Sequence, residues 1–166
     1  MRGRWPGAAS DEASRRDVTS VRGAMSQVDI SAKADGDEEG AVRLMIVEDD
    51  ALVALGIRLT VEDLGYYVCG IAASEPEAVA LAASSRPNLA LMDIRLKGTV
   101  DGIDTARRLR NEFSLRSVFL SAYTDEQTMA RASLTYPLGF VQKPYSAGQL
   151  KSALDLALRR LAAPKD

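Results

Sequence analysis

Residues 89–98, with the sequence LALMDIRLKG, form an apolar run that leads directly into an aspartate. Four apolar side chains precede Asp93, and polar loop residues follow it within a few positions. An unbroken apolar run of this length predicts a strand buried on both faces, as strands of parallel sheets are. A carboxylate at the end of such a strand must be exposed, paired with a cation or close to a metal ion. The function of the chain therefore depends on the surroundings of Asp93.

Similar apolar runs recur along the chain from residue 41 onward. Each is short and bounded by turn or charged residues; the runs cover residues 42–47, 66–73, 88–92, 117–120 and 139–142. Helical patterns separate them, so the order of elements predicts an α/β fold: a doubly wound, five-stranded parallel sheet with helices on both faces. Ligands of such sheets bind at the carboxyl ends of the strands.

The helical segments carry start and stop signals. The first helix is predicted over residues 50–64, before Gly65, which is typical of the residue that follows a helix. Its apolar stripe, expected to face the core, consists of Leu52, Leu55 and Leu59. Three later helices are predicted to begin at capping boxes, in which Ser or Thr is followed three positions later by Glu or Gln: Ser74 with Glu77, Thr124 with Gln127, and Ser146 with Gln149.

Polar and charged side chains follow most of the predicted strands. Glu48, Asp49 and Asp50 follow the first strand, Asp93 the third, Ser121 and Ala122 the fourth, and Lys143 the fifth. Clustered carboxylates repel one another unless a cation is present, and Mg²⁺ prefers a few carboxylates together with waters and a phosphate oxygen. A carboxylate can also act as a nucleophile and form an aspartyl phosphate, whose oxygens need ammonium, hydroxyl and metal partners.

Each of these residues also has a simpler explanation. Asp49 or Asp50 can cap the first helix, and Asp93 can be a turn residue. Ser121 alone is more often a loop hydroxyl, and Lys143 alone is more often a solvated surface charge. Taken together the simpler explanations lose force, because the right residue types would have to follow four separate strands by coincidence.

The composition excludes several classes of function. The chain has 166 residues, a formal net charge of −2, one cysteine and no histidine. It therefore has no imidazole metal site, no histidine-based triad and no internal disulfide, and it lacks the positive charge typical of nucleic-acid-binding proteins. No apolar run approaches the ~18 residues of a membrane span. We expect a cytoplasmic protein that binds neither a membrane nor nucleic acid directly.

Residues 1–40 differ in composition from the rest of the chain. They hold six Lys/Arg and eight Asp/Glu, without a sustained apolar period. Such a segment cannot bury enough apolar surface to offset the entropy lost on ordering. We predict a disordered tail over residues 1–40, with Met25 as a possible true start, and one domain over residues 41–163. A docking arm that uses Trp5 is the alternative.

Four blocks of the sequence resemble the receiver domain of bacterial response regulators, the CheY-like domain of two-component signalling. The blocks are LMIVEDD, LALMDIRLKG followed by DG, VFLSAY and GFVQKPY, in that order. The resemblance covers about residues 42–162. It implies the flavodoxin-like strand order 2-1-3-4-5.

The resemblance also implies roles for the matching residues. Asp93 would be the phosphoacceptor. Mg²⁺ would be held by side chains of the acidic cluster and by one backbone carbonyl: Glu48, Asp49, Asp93 and the carbonyl of Arg95. The phosphoryl group would be recognised, and the switch operated, by Ser121, Ala122, Lys143 and Phe140. Arg95 and Tyr123 would tune hydrolysis from positions two residues past the acceptor and the switch serine.

The function implied by the resemblance is that of a stand-alone response regulator. A histidine kinase or histidine phosphotransferase would phosphorylate it, and its output would be a protein partner or a homodimer formed through the fourth helix, fifth strand and fifth helix. No enzymatic activity is expected beyond self-phosphorylation from small donors and autodephosphorylation. No C-terminal DNA-binding domain is expected, since the sequence ends shortly after the last helical pattern.

Two alternatives from other classes stay open. A pseudo-receiver would bind partners without being phosphorylated, although the complete set of acids, hydroxyl and lysine speaks against it. An aspartyl-phosphate hydrolase would also use an aspartate after a parallel strand. Such hydrolases usually place a second acid two residues later for general acid catalysis, where this chain has Arg95.

Overall fold

A computed structural model of the chain describes residues 41–122 and 125–163. These residues contain a five-stranded parallel sheet with the order β2-β1-β3-β4-β5. The strands are β1 (Arg43–Val47), β2 (Tyr67–Ala72), β3 (Leu89–Asp93), β4 (Arg116–Ser121) and β5 (Gly139–Gln142). The predicted fold class and strand order are confirmed. The predicted tail and Tyr123 lie outside the described residues.

Five helices alternate with the strands along the described part of the chain. They are α1 (Ala51–Asp63), α2 (Glu75–Ser85), α3 (Gly102–Phe113), α4 (Glu126–Ser133) and α5 (Ala147–Ala162). None of these helices combines the length and the apolar character that crossing a membrane would require.

The sheet is covered on both faces. Successive side chains of a strand point to opposite faces, so neighbouring residues of one strand belong to different halves of the core. Met45 lies in a buried cluster with apolar side chains of α2 and α3. Leu44 lies in a second buried cluster with apolar side chains of α1 and α5. This two-sided burial explains why the strands are apolar at nearly every position.

The predicted core stripe of α1 is wrong. Leu52, Leu55 and Leu59 are 81%, 48% and 54% exposed, whereas the buried residues of the helix are Ala54, Ile57 and Val61. Residues 51–57 are apolar at all positions except Gly56, so more than one stripe has helical spacing. The neighbouring β1, β2 and α5 select the stripe that is buried.

The helix starts were predicted with mixed success. The capping box of α5 is present, with Gln149 N donating to Ser146 Oγ and Ser146 N donating to Gln149 Oε1. At α2, Ser74 is the N-cap residue but its side chain makes no capping bond, and Glu77 accepts from Ala73 N instead.

The start of α4 also differs from the prediction. Asp125 is its N-cap residue, and Asp125 Oδ1 accepts from Thr128 N at 2.8 Å. Thr124 lies outside the described residues. An aspartate is at least as good an N-cap as threonine, and the sequence offers both in succession.

Candidate functional site

Three carboxylates meet at the carboxyl edge of the sheet. Glu48 and Asp49 follow β1, and Asp93 is the last residue of the adjacent strand β3. Because the two strands are parallel neighbours, with Val47 paired to Met92, their ends bring these side chains together. Carboxylate oxygens of the three residues lie within 4.8 Å of one another. Glu48 and Asp93 are buried, with 4% and 8% exposure.

Asp50 does not join this cluster. Its Oδ1 accepts from Leu52 N at 2.9 Å and from Val53 N at 3.1 Å, so it caps α1. These two backbone hydrogen bonds, first that from Val53, lower the pKa of Asp50. The capping role that could belong to either Asp49 or Asp50 thus belongs to Asp50, which leaves Asp49 for the cluster.

Lys143 supplies a cation to the same cluster. It directly follows β5, which lies two strands away from β3. Its Nζ lies 3.2 Å from Glu48 Oε2 and 3.3 Å from Asp93 Oδ2. Its backbone is held where β4 ends, since Lys143 N donates to Ser121 O at 2.6 Å. The peptide bond between Lys143 and Pro144 is cis.

The charges of the cluster act on one another. Burial, and after it the charge of Asp93, raises the pKa of Glu48 against the lowering effect of hydrogen bonds from Asp50 N and Lys143. Burial acts to lower the pKa of Lys143, but the charges of Asp93 and Glu48 outweigh it and the pKa is raised. Lys143 is the partly buried ammonium among these three carboxyl groups and Lys97 contacts them only from the surface, so the site favours a further cation.

Asp49 gives the clearest sign that a cation fits. Its Oδ2 is buried and has no hydrogen-bond partner among the described residues. The ammonium of Lys97 lies 3.5 Å from this oxygen, and the side chain of Lys97 is 83% exposed. A buried carboxylate oxygen without a donor is a ligand that Mg²⁺ can use, since this ion combines a few carboxylates with waters.

Ser121 and Phe140 lie beside the cluster on β4 and β5. Ser121 is buried, ends β4 and follows Leu120, the residue paired with Asp93. Ala122 is exposed just beyond it. The ring of Phe140 stacks on that of Phe119 with centroids 5.6 Å apart and remains 37% exposed. Ser121 therefore lies at the end of the strand next to Asp93, and Phe140 lies partly exposed one strand further away.

The loop after β3 is held to the side chain of Asp93 by a backbone N–H group. Arg95 N donates to Asp93 Oδ1 at 3.2 Å, while the side chain of Arg95 is exposed. Its carbonyl as a metal ligand stays a prediction, and so does the tuning role of Arg95 and Tyr123.

Gly102 is a residue whose importance sequence reasoning missed. A Cβ at this position would lie 1.8 Å from the carbonyl oxygen of Asp93. Gly102 N also donates to Ile94 O at 2.9 Å, so α3 begins in direct backbone contact with the end of β3. The Asp101-Gly102 pair was visible in the sequence, but only the packing shows that no other residue fits there.

Known proteins share this fold and this sequence pattern. The sequence model of the response regulator receiver domain family matches residues 44–155 of the chain. The transcriptional regulatory protein PdtaR of Mycobacterium tuberculosis is 32% identical over 126 residues, which are 75% of this chain and 61% of PdtaR. The phyllosphere-induced regulator PhyR of Methylorubrum extorquens is 30% identical over 143 residues, 86% of this chain and 51% of PhyR. The chain thus spans less than two thirds of the length of these relatives.

A solved structure gives the same result for the fold. The signal receiver domain of a modulated diguanylate cyclase from Desulfovibrio desulfuricans G20 superposes with a TM-score of 0.68 at 36% identity. The match covers 73% of this chain and 96% of that domain.

Proposed function

Because this chain belongs to the response regulator receiver domain family, we propose that it is a phosphorylation switch whose phosphoacceptor is Asp93. The phosphodonor is a histidine kinase or a histidine phosphotransferase. Residues 41–163 form the receiver domain, residues 1–40 a tail, and the protein acts in the cytoplasm. It has no further enzymatic activity than its own phosphorylation and dephosphorylation.

The observation that carries this proposal is the position of Lys143. Its ammonium lies between Glu48 and Asp93, at 3.2 and 3.3 Å from their oxygens, although it comes from a strand two places away. A lysine whose ammonium contacts Asp93 is suited to neutralise the oxygens of a phosphoryl group bound to that carboxylate. A lysine that served only solubility would lie in solvent.

The cation site supports the same chemistry. Glu48, Asp49, Asp93 and the carbonyl of Arg95 would hold Mg²⁺, which when bound neutralises phosphoryl oxygens during transfer. The side chain of Lys97 is 83% exposed, so a metal ion bound to Asp49 could displace its ammonium into solvent.

The transfer itself is a displacement at phosphorus. A carboxylate oxygen of Asp93 forms the new bond to phosphorus, and the phosphorus–nitrogen bond of the donor histidine breaks with its electron pair returning to the imidazole. The strand end fixes the acceptor oxygen for attack, because Arg95 N binds Oδ1 and Lys143 contacts Oδ2. The developing charge on the phosphoryl oxygens is then stabilised by Lys143.

Output follows from contacts that exist only after transfer. Lys143 exchanges its contact with Asp93 for one with a phosphoryl oxygen, and Ser121 Oγ donates to another. Both residues adjoin β5, so the new contacts favour a different arrangement of the face built from α4, β5 and α5. This face carries the half-exposed Phe140 and a cavity of 620 Å³ between β5 and α5. A protein partner or a second copy of the chain binds there.

A protein phosphodonor also needs a surface beside Asp93. The helix α1 begins immediately after the acidic cluster and exposes the apolar side chains of Leu52, Leu55 and Leu59. Exposed apolar groups at the rim of a reactive site are typical of a docking surface. Contact with the phosphodonor would thus account for the exposure of these three leucines.

The test uses acetyl phosphate as donor and intact mass as readout. With Mg²⁺ the wild-type protein should gain one phosphoryl group, and Asp93→Asn should gain none. Asp50→Asn is the matched control, because it removes a nearby carboxylate but keeps the cap, and it should be phosphorylated like wild type. Modification of Asp93→Asn, or modification of wild type in excess chelator, would show that the assignment is wrong. A wild-type protein that remains unmodified would favour the pseudo-receiver.

A further inference from the structure

A pocket rich in arginine lies at the amino edge of the sheet, at the opposite end from Asp93. It has a volume of 580 Å³ and is formed where α3 and α5 end and β4 begins. We call it the arginine pocket; its lining residues are Arg110, Asn111, Ser114, Arg116, Arg160, Leu161 and Ala163. Three guanidinium groups therefore share one cavity of the size usual for small ligands.

The three arginines of the pocket differ in their partners from other arginines of the described ranges. None of them forms an ion pair among residues 41–122 and 125–163, whereas Arg58, Arg107, Arg108 and Arg131 all do. Their contacts are instead with neutral groups: Arg116 Nε donates to Tyr136 O, Arg160 Nη1 donates to Leu138 O, and Arg110 lies 4.3 Å over the ring of Tyr136. These contacts orient the side chains, and no carboxylate of the described residues compensates their charge.

The repulsion within the pocket can be seen on Arg116. Burial lowers the pKa of its guanidinium, and the charges of Arg110 and Arg160 lower it further. Like charges in one cavity disfavour the folded protein, unless an anion is bound there. A bound anion would thus reduce the repulsion between the three arginines.

Helix ends account for only part of this charge. Residues at the carboxyl ends of α3 and α5 line the pocket, and a basic residue in the last turn of a helix is favourable. Each helix end amounts to about half a negative charge, so two of them offset about one of the three arginines. About two positive charges remain for a ligand.

We propose that the arginine pocket binds a small organic phosphate carrying at least two negative charges. Arginine forks match pairs of phosphate oxygens, and each guanidinium has further N–H groups besides the one that Arg116 or Arg160 uses in its carbonyl contact. Leu161 and Ala163 add apolar wall for the organic part of the ligand. This site is separate from Asp93 and does not depend on the proposed phosphorylation.

Calorimetric titration of the full-length chain with pyrophosphate, ADP and AMP, in buffer without divalent ions, tests the proposal. Pyrophosphate and ADP should bind at a stoichiometry of one, and AMP more weakly. Arg110→Gln and Arg160→Gln should each weaken ADP binding at least tenfold. Arg58→Gln, which removes an exposed arginine from α1, is the matched control and should bind like wild type. Tighter binding of ADP than of pyrophosphate would support an organic phosphate as the ligand; equally tight binding of pyrophosphate would contradict the organic part of the proposal.

Three outcomes would overturn the proposal. One is no heat of binding for any of the three ligands at millimolar concentration. Another is equal binding by wild type and both pocket variants. The third is a single-stranded oligonucleotide or an acidic peptide that binds the pocket arginines while ADP does not, which would make the surface macromolecular. The fold of each variant is checked by its circular dichroism spectrum, which should be that of wild type.

Discussion

At the scale of single residues, neighbouring aspartates with the same chemistry have different tasks. Asp50 is exposed and its oxygen receives two backbone N–H groups at the start of α1. Asp49 points into the acidic cluster and keeps one buried oxygen without a donor. The difference follows from the turn between β1 and α1, because Asp50 directly precedes the helix and caps it, whereas Asp49 lies one residue closer to the strand end.

This difference predicts separate responses to Mg²⁺. The ion should raise the melting temperature of the wild-type protein, because it binds the folded state and not the unfolded chain. Asp49→Asn should lose most of this increase, while Asp50→Asn should retain it, since asparagine also caps helices well. Melting curves are measured with and without about 10 mM Mg²⁺, which is on the order of the concentrations at which weak sites fill. An equal loss in both variants would contradict the assignment of Asp49.

At the scale of secondary-structure elements, glycines illustrate how packing decides the effect of one methyl group. Gly56 lies within α1, and a Cβ there would have no atom within 4 Å. Gly102 begins α3, and a Cβ there would overlap the carbonyl oxygen of Asp93. Substitution of glycine by alanine is therefore expected to change the free energy of unfolding in opposite directions in the two helices.

Gly56→Ala should raise the free energy of unfolding by up to ~1 kcal/mol, because alanine favours the helix and the space is open. Gly102→Ala should lower it by about 1–3 kcal/mol or more, because α3 must move away from the end of β3. Urea denaturation of both variants beside wild type measures the difference. If Gly102→Ala were as stable as wild type, the close contact between α3 and Asp93 would be wrong.

At the scale of the whole molecule, a side-chain contact joins the connection between α1 and β2 to the distant helix α5. Tyr66 Oη donates to Asp155 Oδ1, and Lys151 Nζ lies 2.7 Å from Asp155 Oδ2. Burial raises the pKa of Tyr66 from 10 to about 12, and the hydrogen bond and charge of Asp155 contribute in the same direction. The folded protein therefore holds the phenolic proton more tightly than the unfolded chain does.

The contribution of Tyr66 to stability should depend on pH with a defined sign. It is fully present below pH 10 and is lost as pH rises through about 12, because deprotonation is easier in the unfolded chain. The free energy of unfolding should fall over this interval more steeply for wild type than for Tyr66→Phe. Tyr67→Phe, which removes the hydroxyl of the neighbouring and partly exposed ring, should retain the wild-type slope. Parallel slopes for wild type and Tyr66→Phe would contradict the predicted linkage.

Much of this molecule could be read from local sequence patterns. The five apolar runs and the helical spacing were sufficient for the strands and the fold class, because burial on both faces leaves a strand apolar throughout. The residues after the strands were identifiable as well, since parallel strands end at a common edge. Asp93, Glu48 and Lys143 lie together for this reason.

Other properties arise from contacts between segments far apart in sequence. The buried stripe of α1 was mispredicted, because several stripes of an apolar helix satisfy the same period and only its neighbours choose among them. The need for glycine at position 102 comes from the backbone of β3, and the arginine pocket comes from the joint ends of α3, β4 and α5. Local patterns record whether a residue is apolar, charged or suited to a turn. Which residues are in contact depends on how the elements pack. The site could therefore be predicted from the sequence where strands end at a common edge, but not where helices pack together.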